Sequence, residues 1–337
     1  MERTSIFAAV FVGITVTMVL GYWMIPWLKK IKYGQTINDI GPTWHKYKEG
    51  TPTMGGLMFI IGTLCAIIVG YISLVLEAPQ FLSKQYAVEN FRLFSSFCVA
   101  IAFSLIGFLD DFEKISHRTN LGLRWYHKII MQVMVAGIYV YLMRVYGECG
   151  TELIIPFIGT FDFGWFYYPF IIFCIVGIVN SVNLTDGLDG LASSVTFVVT
   201  LGFLIISAYL GYAGTTLFSA SLAAALIGFL FWNFKPARVF MGDTGSMFLG
   251  GAVVAMSFGV SMQLLMLLSG IVYVCEAASD IIQTTYFKAT HGKRIFKMAP
   301  IHHHFEMCGW SEEKIIAVFC IVALIGTGLS VFSAIAE

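Results

Sequence analysis

The chain has 337 residues, 58% of them hydrophobic and only 12% charged, against about 45–50% apolar and about 25% charged in soluble domains. That composition excludes an ordinary soluble domain and points to an integral membrane protein. Twenty basic and twenty acidic residues cancel, so no global field recommends nucleic acid as a partner.

The first apolar run passes into Tyr22-Trp23-Met24-Ile25-Pro26-Trp27 without a small-residue cleavage site, so it reads as an anchor. The seven cysteines, Cys65, Cys98, Cys149, Cys174, Cys275, Cys308 and Cys320, are odd in number and lack Cys-x-x-Cys spacing. They read as reduced packing residues.

A bilayer core of about 30 Å asks for about 20 apolar residues per helix. Ten runs qualify: 5–28, 54–76, 92–109, 129–146, 166–182, 191–210, 215–233, 244–261, 263–286 and 315–335. The expected fold is an all-α integral membrane protein of about ten transmembrane helices, one polytopic domain over 1–337. Segments 29–50, 110–128, 235–243 and 288–314 hold 5, 4, 2 and 5 Lys/Arg, which is 16 of the 20. The positive-inside rule makes these four segments cytoplasmic. With ten spans both termini then face outward, and parity brings 183–190 to the cytoplasmic side as well. Of the outer loops, 77–90 is a plain connector, and 147–165 has the makings of a small hairpin.

The polar clusters all fall on the inner face. Trp44 through Gly56 reads either as a positive-inside anchor before a helix start or as a binding segment that includes Lys48. Asp110-Asp111, with Lys114 one turn on and Lys128 further along, reads either as solvated boundary charge or as a cation site beside a phosphate. Between two apolar runs lies Ser181-Val182-Asn183-Leu184-Thr185-Asp186-Gly187-Leu188-Asp189-Gly190-Leu191-Ala192. An Asn and two carboxylates there are expensive unless they line an aqueous edge, although a plain turn would use the same residues. Asp243 suits a helix N-cap, and suits equally a hard oxygen ligand for Mg²⁺, which takes one or two carboxylates and completes its shell with waters and phosphates. Neighbouring side chains of His302-His303-His304 diverge, which argues for phosphate or sugar contact over zinc. No P-loop is present. One face thus gathers Asp110, Asp111, Asp186, Asp189 and Asp243 with Lys48, Lys114, Lys128 and the His triplet. Acids in that number call for a cation and the lysines for an anion, and a Mg²⁺-diphosphate supplies both.

Thr51-Pro52-Thr53-Met54-Gly55-Gly56, Asp110-Asp111, Asn183 through Gly190, Asn233 through Gly245 and Ala299-Pro300-Ile301-His302-His303-His304 together resemble the phospho-N-acetylmuramoyl-pentapeptide transferases. These belong to the polyprenyl-phosphate N-acetylhexosamine-1-phosphate transferase superfamily. The resemblance runs over nearly the whole chain with the motifs in family order, and the Ala-Pro-Ile-His-His-His run distinguishes it from relatives that transfer N-acetylglucosamine 1-phosphate. It implies a ten-span, homodimeric enzyme of the bacterial inner membrane, surrounded by membrane lipid, with a cytoplasmic active site and Mg²⁺ as cofactor. The implied reaction moves phospho-MurNAc-pentapeptide from its UDP carrier to undecaprenyl phosphate, giving lipid I and UMP. By motif position, Asp243 matches the metal ligand and Asp110 with Asp111 the acids nearest the reacting phosphates. Lys48, Asn183, Asp186, Asn233, Phe240, Gln283, His302 and His303 match nucleotide-sugar or catalytic positions. Asp280 departs from the apolar residue expected there, and it lies one helical turn from Glu276.

Two other readings fit parts of the pattern. A transferase of another UDP-amino sugar would share most motifs. A secondary transporter would carry its acids near mid-membrane and show a repeat between halves, and neither feature is present.

Overall fold

The computed structural model describes residues 3–30, 50–116 and 122–337. Apolar runs of 20 or more residues have no route to satisfy their backbone in lipid except as helices, and the fold follows that constraint. The helices are α1 (Arg3–Lys30), α2 (Gly56–Glu77), α3 (Ala87–Ser116), α4 (Trp125–Val145), α5 (Tyr167–Thr185), α6 (Leu191–Leu210), α7 (Ala213–Asn233), α8 (Gly242–Gly259), α9 (Leu265–Ser269), α10 (Ile271–Ala289), α11 (Ile301–Met307) and α12 (Glu312–Ala336). Between α4 and α5 the expected hairpin is present, β1 (Glu152–Ile155) pairing antiparallel with β2 (Gly159–Asp162) and Ile155 opposite Gly159.

Among the described residues eight helices, α1 to α7 and α12, are long and apolar enough to cross a membrane. The sequence reading of ten included two more runs, and each differs in kind. The run 244–261 is α8, and every residue from Thr244 to Gly259 in it is buried. A helix that is apolar all round belongs at the centre of a bundle, and α8 packs against α3 on one side and α5 on another. The run 263–286 is not one helix. It breaks at the Ser269-Gly270 pair, where Ser269 Oγ turns back onto the Leu265 carbonyl at 2.6 Å, a recognised cause of kinks. From there α10 continues with Glu276, Asp280 and Lys288 in it.

α3 begins at Ala87, earlier than the expected 92. Arg92, the first residue of the expected span, is buried inside the helix. Its guanidinium donates to the Gly147 carbonyl at 2.9 and 3.2 Å and to the Gly259 carbonyl at 3.1 Å. It also lies 5.0 Å from the centre of the Tyr212 ring. A buried charge is tolerable on those terms. The cysteines are free thiols, as read.

α4 and α5 are joined by a reciprocal amide pair. Asn180 Nδ2 donates to Gln132 Oε1 at 2.7 Å, and Gln132 Nε2 donates to Asn180 Oδ1 at 3.2 Å. The pair lies one turn into the bundle from Lys128 and Asn183, so it sets the spacing of the two helices that carry those residues. We expect a double-mutant cycle of Gln132→Ala and Asn180→Ala, read by unfolding in detergent, to give a coupling of about 0.6–1.7 kcal/mol, the range for interhelical hydrogen bonds in membranes. Additive single effects would show that the pair does not hold the helices.

Candidate active site

Helix α8 starts at the centre of the site. Its first N–H groups have no intrahelical partner, and the N-cap residue, Met241, offers no side-chain acceptor. Asp111 of α3 fills that role from across the bundle. Its Oδ1 accepts from Asp243 N at 3.2 Å, and its Oδ2 accepts from Thr244 N at 2.9 Å and Thr244 Oγ1 at 2.7 Å. Gly242, at φ +71°, permits the approach, since a Cβ there would stand 2.7 Å from both Asp111 Oδ2 and Thr53 Oγ1. Of the two readings for Asp243, the N-cap is therefore excluded; the cap is Asp111.

Freed from capping, the Asp243 side chain collects cations. Its Oδ2 receives Lys114 Nζ at 2.9 Å and Lys128 Nζ at 3.1 Å, while Oδ1 accepts from Asn183 Nδ2 at 2.9 Å. Lys114 also reaches Asp110 Oδ2 at 2.6 Å, one helical turn away. Asp110 Oδ1 in turn accepts from Leu123 N at 3.0 Å, pinning the segment that enters α4. Asn183 donates a second hydrogen bond to Ser246 Oγ at 2.7 Å. Asp186 caps the C-terminal end of α5, and among the described residues its carboxylate has no hydrogen-bond or ion-pair partner. Burial, followed by the nearby carboxylates Asp243, Asp111 and Asp189, holds its carboxyl well above the usual range.

The other candidates sit around this cluster and mostly shape it. Asp189 accepts from Ala237 N at 2.9 Å. Buried Asn233 accepts from Ser193 Oγ at 2.8 Å and donates to the Val239 carbonyl at 3.0 Å, so its amide ties the 234–240 loop to α6. Phe240 is half-buried, and its backbone pairs with the Thr51–Gly56 segment, accepting from Gly55 N and donating to Pro52 O. Gln283 accepts from Ile295 N and Phe296 N and donates to Phe296 O, each at 3.0 Å. Its amide thus fastens the loop after α10. Lys48 lies outside the described residues.

His302 was read without its partner. The ring is buried, with Nδ1 3.0 and 3.1 Å from the two oxygens of Glu276, which is itself fully buried. A carboxylate only accepts, so Nδ1 carries the proton and, in the neutral ring, Nε2 is left as a lone-pair acceptor. Nε2 is buried with no partner among the described residues. It lies against Gly187, where a Cβ would come within 2.2 Å, which explains the glycine in the Asn183–Gly190 turn. His303 Nδ1 pairs with Glu306 at 2.7 Å. Glu276 is a site residue that sequence reasoning passed over; the available signal was a carboxylate inside an apolar helix.

Fold and site together define a polytopic membrane protein whose helix bundle ends in a charge-compensated cluster of carboxylates and lysines. Residues 93–261 match glycosyl transferase family 4, and residues 48–60 match the phospho-N-acetylmuramoyl-pentapeptide-transferase signature 1. Over 323 residues the chain is 46% identical to the phospho-N-acetylmuramoyl-pentapeptide-transferase of Clostridium botulinum strain Alaska E43, covering 95% of this chain and 94% of that protein. It is 45% identical over 322 residues to the Clostridium perfringens strain 13 protein of the same name (95% and 96% covered). To that of Caldanaerobacter subterraneus it is 42% identical over 330 residues (98% of each). The chain belongs to the phospho-N-acetylmuramoyl-pentapeptide-transferase family, and it is a multi-pass bacterial membrane protein.

The division of labour between the two carboxylates has a measurable consequence. Asp111→Asn leaves buried donors at the start of α8 poorly satisfied and is expected to destabilise the protein by about 1–3 kcal/mol. Asp243→Asn removes a charge from a partly exposed cluster and is expected to cost less. Thermal unfolding of both variants in detergent checks the order; the reverse order would show that the cap does not hold α8.

Proposed function

We propose that this chain is a phosphoglycosyl transferase that moves phospho-MurNAc-pentapeptide from UDP-MurNAc-pentapeptide to undecaprenyl phosphate, producing lipid I and UMP for peptidoglycan synthesis. Family membership supports the substrates. The single structural observation that carries the chemistry is Asp243 between Lys114 and Lys128, with Asn183 on its other oxygen.

The obstacle in this reaction is electrostatic. An anionic acceptor must approach an anionic diphosphate, and at 4 Å each charge pair costs about 4 kcal/mol at an effective dielectric of 20. A phosphate monoester has a second pKa near 6, so the acceptor is already largely ionised at neutral pH. It needs charge compensation more than it needs a base. Lys114 and Lys128 supply two ammonium groups within one carboxylate's reach, and a polyanion entering the site draws them off Asp243 onto its own oxygens.

Mg²⁺ fits these residues. The two ammonium groups on Asp243 Oδ2 support a cation at that position, and Asp186 adds a carboxylate without a hydrogen-bond or ion-pair partner among the described residues. Among the described residues no three His, Cys, Asp or Glu side chains form a closed cage. Mg²⁺ requires none, because waters and phosphates complete its shell. Asp243 with Asp186 would hold the ion, which when bound neutralises diphosphate charge. Asp110 keeps Lys114 in place, and Asp111 keeps Asp243 in place. This assignment moves Asp111 away from direct proton transfer.

A direct displacement is the mechanism these groups support, since a covalent aspartyl intermediate would not relieve the repulsion. With UDP-MurNAc-pentapeptide and undecaprenyl phosphate, Asp243→Asn is expected to lose at least about 100-fold in turnover. Incubating the enzyme, Mg²⁺, UDP-MurNAc-pentapeptide and labelled UMP without polyprenyl phosphate is expected to put no label into the UDP-sugar. Exchange at a rate comparable to turnover would establish the covalent route.

The charge asymmetry of the loops supports an inner-membrane orientation with the site on the cytoplasmic side, both termini outside and ten crossings, α8 and the α9–α10 pair supplying the last two. The family resemblance supports a homodimer. Single-cysteine labelling in intact cells is expected to leave positions 117 and 295 unreactive to an impermeant reagent, and labelling at either would reverse the orientation.

A further inference from the structure

Buried Arg92 is a charge that the transfer step does not use, and it lies near the start of α3, at the end of the bundle away from Asp243. Its Nη1 donates to the Gly259 carbonyl at 3.1 Å, while Nε and Nη2 donate to the Gly147 carbonyl at 3.2 and 2.9 Å. Gly259 is the last residue of α8, so its carbonyl has no donor within the helix. Gly147 follows α4 directly, and its own N–H donates to the Met143 carbonyl at 3.0 Å, so its backbone moves with the last turn of α4.

The three elements that meet at Arg92 are the three whose other ends make the charge cluster. α3 carries Asp110, Asp111 and Lys114, α4 carries Lys128, and α8 carries Asp243. Arg92 stands 19 residues before Asp111, and Gly147 stands 19 residues after Lys128, each about 28 Å along the axis at about 1.5 Å per residue. α3 thus caps α8 at both ends, with a carboxylate at its N-terminus and a guanidinium at its C-terminus, and each charge has the sign that the helix dipole favours. Between the caps the two helices are in close contact. Ser104 Oγ donates to the Thr244 carbonyl at 2.9 Å, and a Cβ on Gly107 would stand 2.1 Å from the Asp243 carbonyl oxygen.

Stability alone does not call for an arginine at this place. Replacing buried ionic groups by apolar residues of similar volume is often neutral or stabilising, and the hydrogen-bond acceptors here are neutral carbonyls. An apolar side chain would, however, leave the axial position of α8 to packing along a helix that is apolar all round. Hydrogen bonds to two particular carbonyls select one register. A slide of α8 or α4 along α3 breaks them, and at the other end it carries Asp243 or Lys128 out of place.

We propose that Arg92 is a positioning residue for the transfer: by tying α8 and α4 to α3 at the far end of the bundle, it sets the register that brings Lys114 and Lys128 together on Asp243. The inference rests on the transferase reading and adds a residue remote from both substrates on which their reaction depends.

The test uses the purified full chain in detergent with UDP-MurNAc-pentapeptide and undecaprenyl phosphate, each varied to saturation. Arg92→Met is expected to lower kcat at least about tenfold with little change in either KM, because a misplacement of about 1 Å caused far from the chemistry can cost about 100-fold. Arg92→Lys, which keeps the charge but not the planar fork that reaches two carbonyls at once, is expected to fall between wild type and Arg92→Met. Register is read directly, without substrates, by amine acylation followed by mass spectrometry. In Arg92→Met, acylation of Lys114 and Lys128 is expected to rise about two- to fivefold, the factor for losing a partly exposed ion pair. Lys235, whose ion pair at 3.1 Å is to Glu313 of α12, is expected to keep its rate. An unchanged kcat, unchanged acylation of Lys114 and Lys128, or a rise at Lys235 equal to theirs would overturn the proposal, the last because it marks general loosening of the fold. If Arg92→Met does not fold, Arg92→Lys is read in the same way and decides. A wild-type chain that turned over neither substrate would overturn the transferase reading on which the proposal rests, an outcome distinct from variants that match an active wild type.

Discussion

The capture of the α8 N-terminus by Asp111 is the constraint on which the rest of the site depends. α8 is enclosed along its length, so its unpaired N–H groups cannot turn to bulk water, and each such group left bare in a buried setting costs about 1–3 kcal/mol. One carboxylate from α3 accepts from two backbone amides and a hydroxyl there, and its charge is also favoured by the helix dipole. The consequence reaches past stability. Because the cap comes from another helix, Asp243 is relieved of the role its position suggests, and its carboxylate is turned toward Lys114 and Lys128.

The same economy runs through the cluster, where each charge is positioned by a neighbour of opposite sign or by backbone. Asp110 holds Lys114 and the Leu123 amide; Asn183 spans Asp243 and Ser246. The exception is Asp186, with acids around it and, among the described residues, no hydrogen-bond or ion-pair partner. An unsatisfied carboxylate beside a carboxylate already drawing two ammonium groups means that the described residues alone leave the site short of cations at one point and oversupplied at another. Under the proposed function a polyanion arriving with a divalent cation would redress both at once, the anion taking the lysines and the cation the acids. Substrate and site are thus complementary in charge arrangement, and net charge says nothing about it.

Much of this was legible in the sequence, for physical reasons that differ by element. Long apolar runs must be helices in lipid, so α1 to α7 and α12 were readable, as was the hairpin from its turn residues. Clustering of polar motifs followed from Lys/Arg asymmetry, and Asp110, Lys114, Lys128, Asn183, Asp186 and Asp243 are indeed brought together. The roles of adjacent acids were not readable: Asp110 and Asp111 point to different partners only because of how α3 and α8 cross. That the amides of Asn233 and Gln283 also fasten loops was not readable in one dimension. The kink at Gly270 hid inside an apolar run long enough for one span, and the partners of buried Arg92 were not readable because those carbonyls lie 55 and 167 residues away. Such pairings depend on contacts between distant segments, which periodicity does not encode.

Placing the site at the end of the most enclosed helix resolves a conflict between its two substrates. A nucleotide sugar comes from water, and a polyprenyl phosphate never leaves lipid. At mid-membrane the cluster would suffer the full desolvation of several charges; out in the aqueous phase it would be beyond the reach of a lipid-bound phosphate. α3 shows how both are met. Asp110 and Asp111 are buried against α8, while the flanking Leu109 and Phe112 are 47% and 49% exposed on the outer side of the same helix. The lipid-facing surface and the charged surface are therefore opposite sides of a single helix, whose diameter with side chains is about 10–12 Å. A phosphate at the end of a membrane-embedded chain has only to pass that thickness, at the level where α3 ends, to meet Lys114 and Lys128.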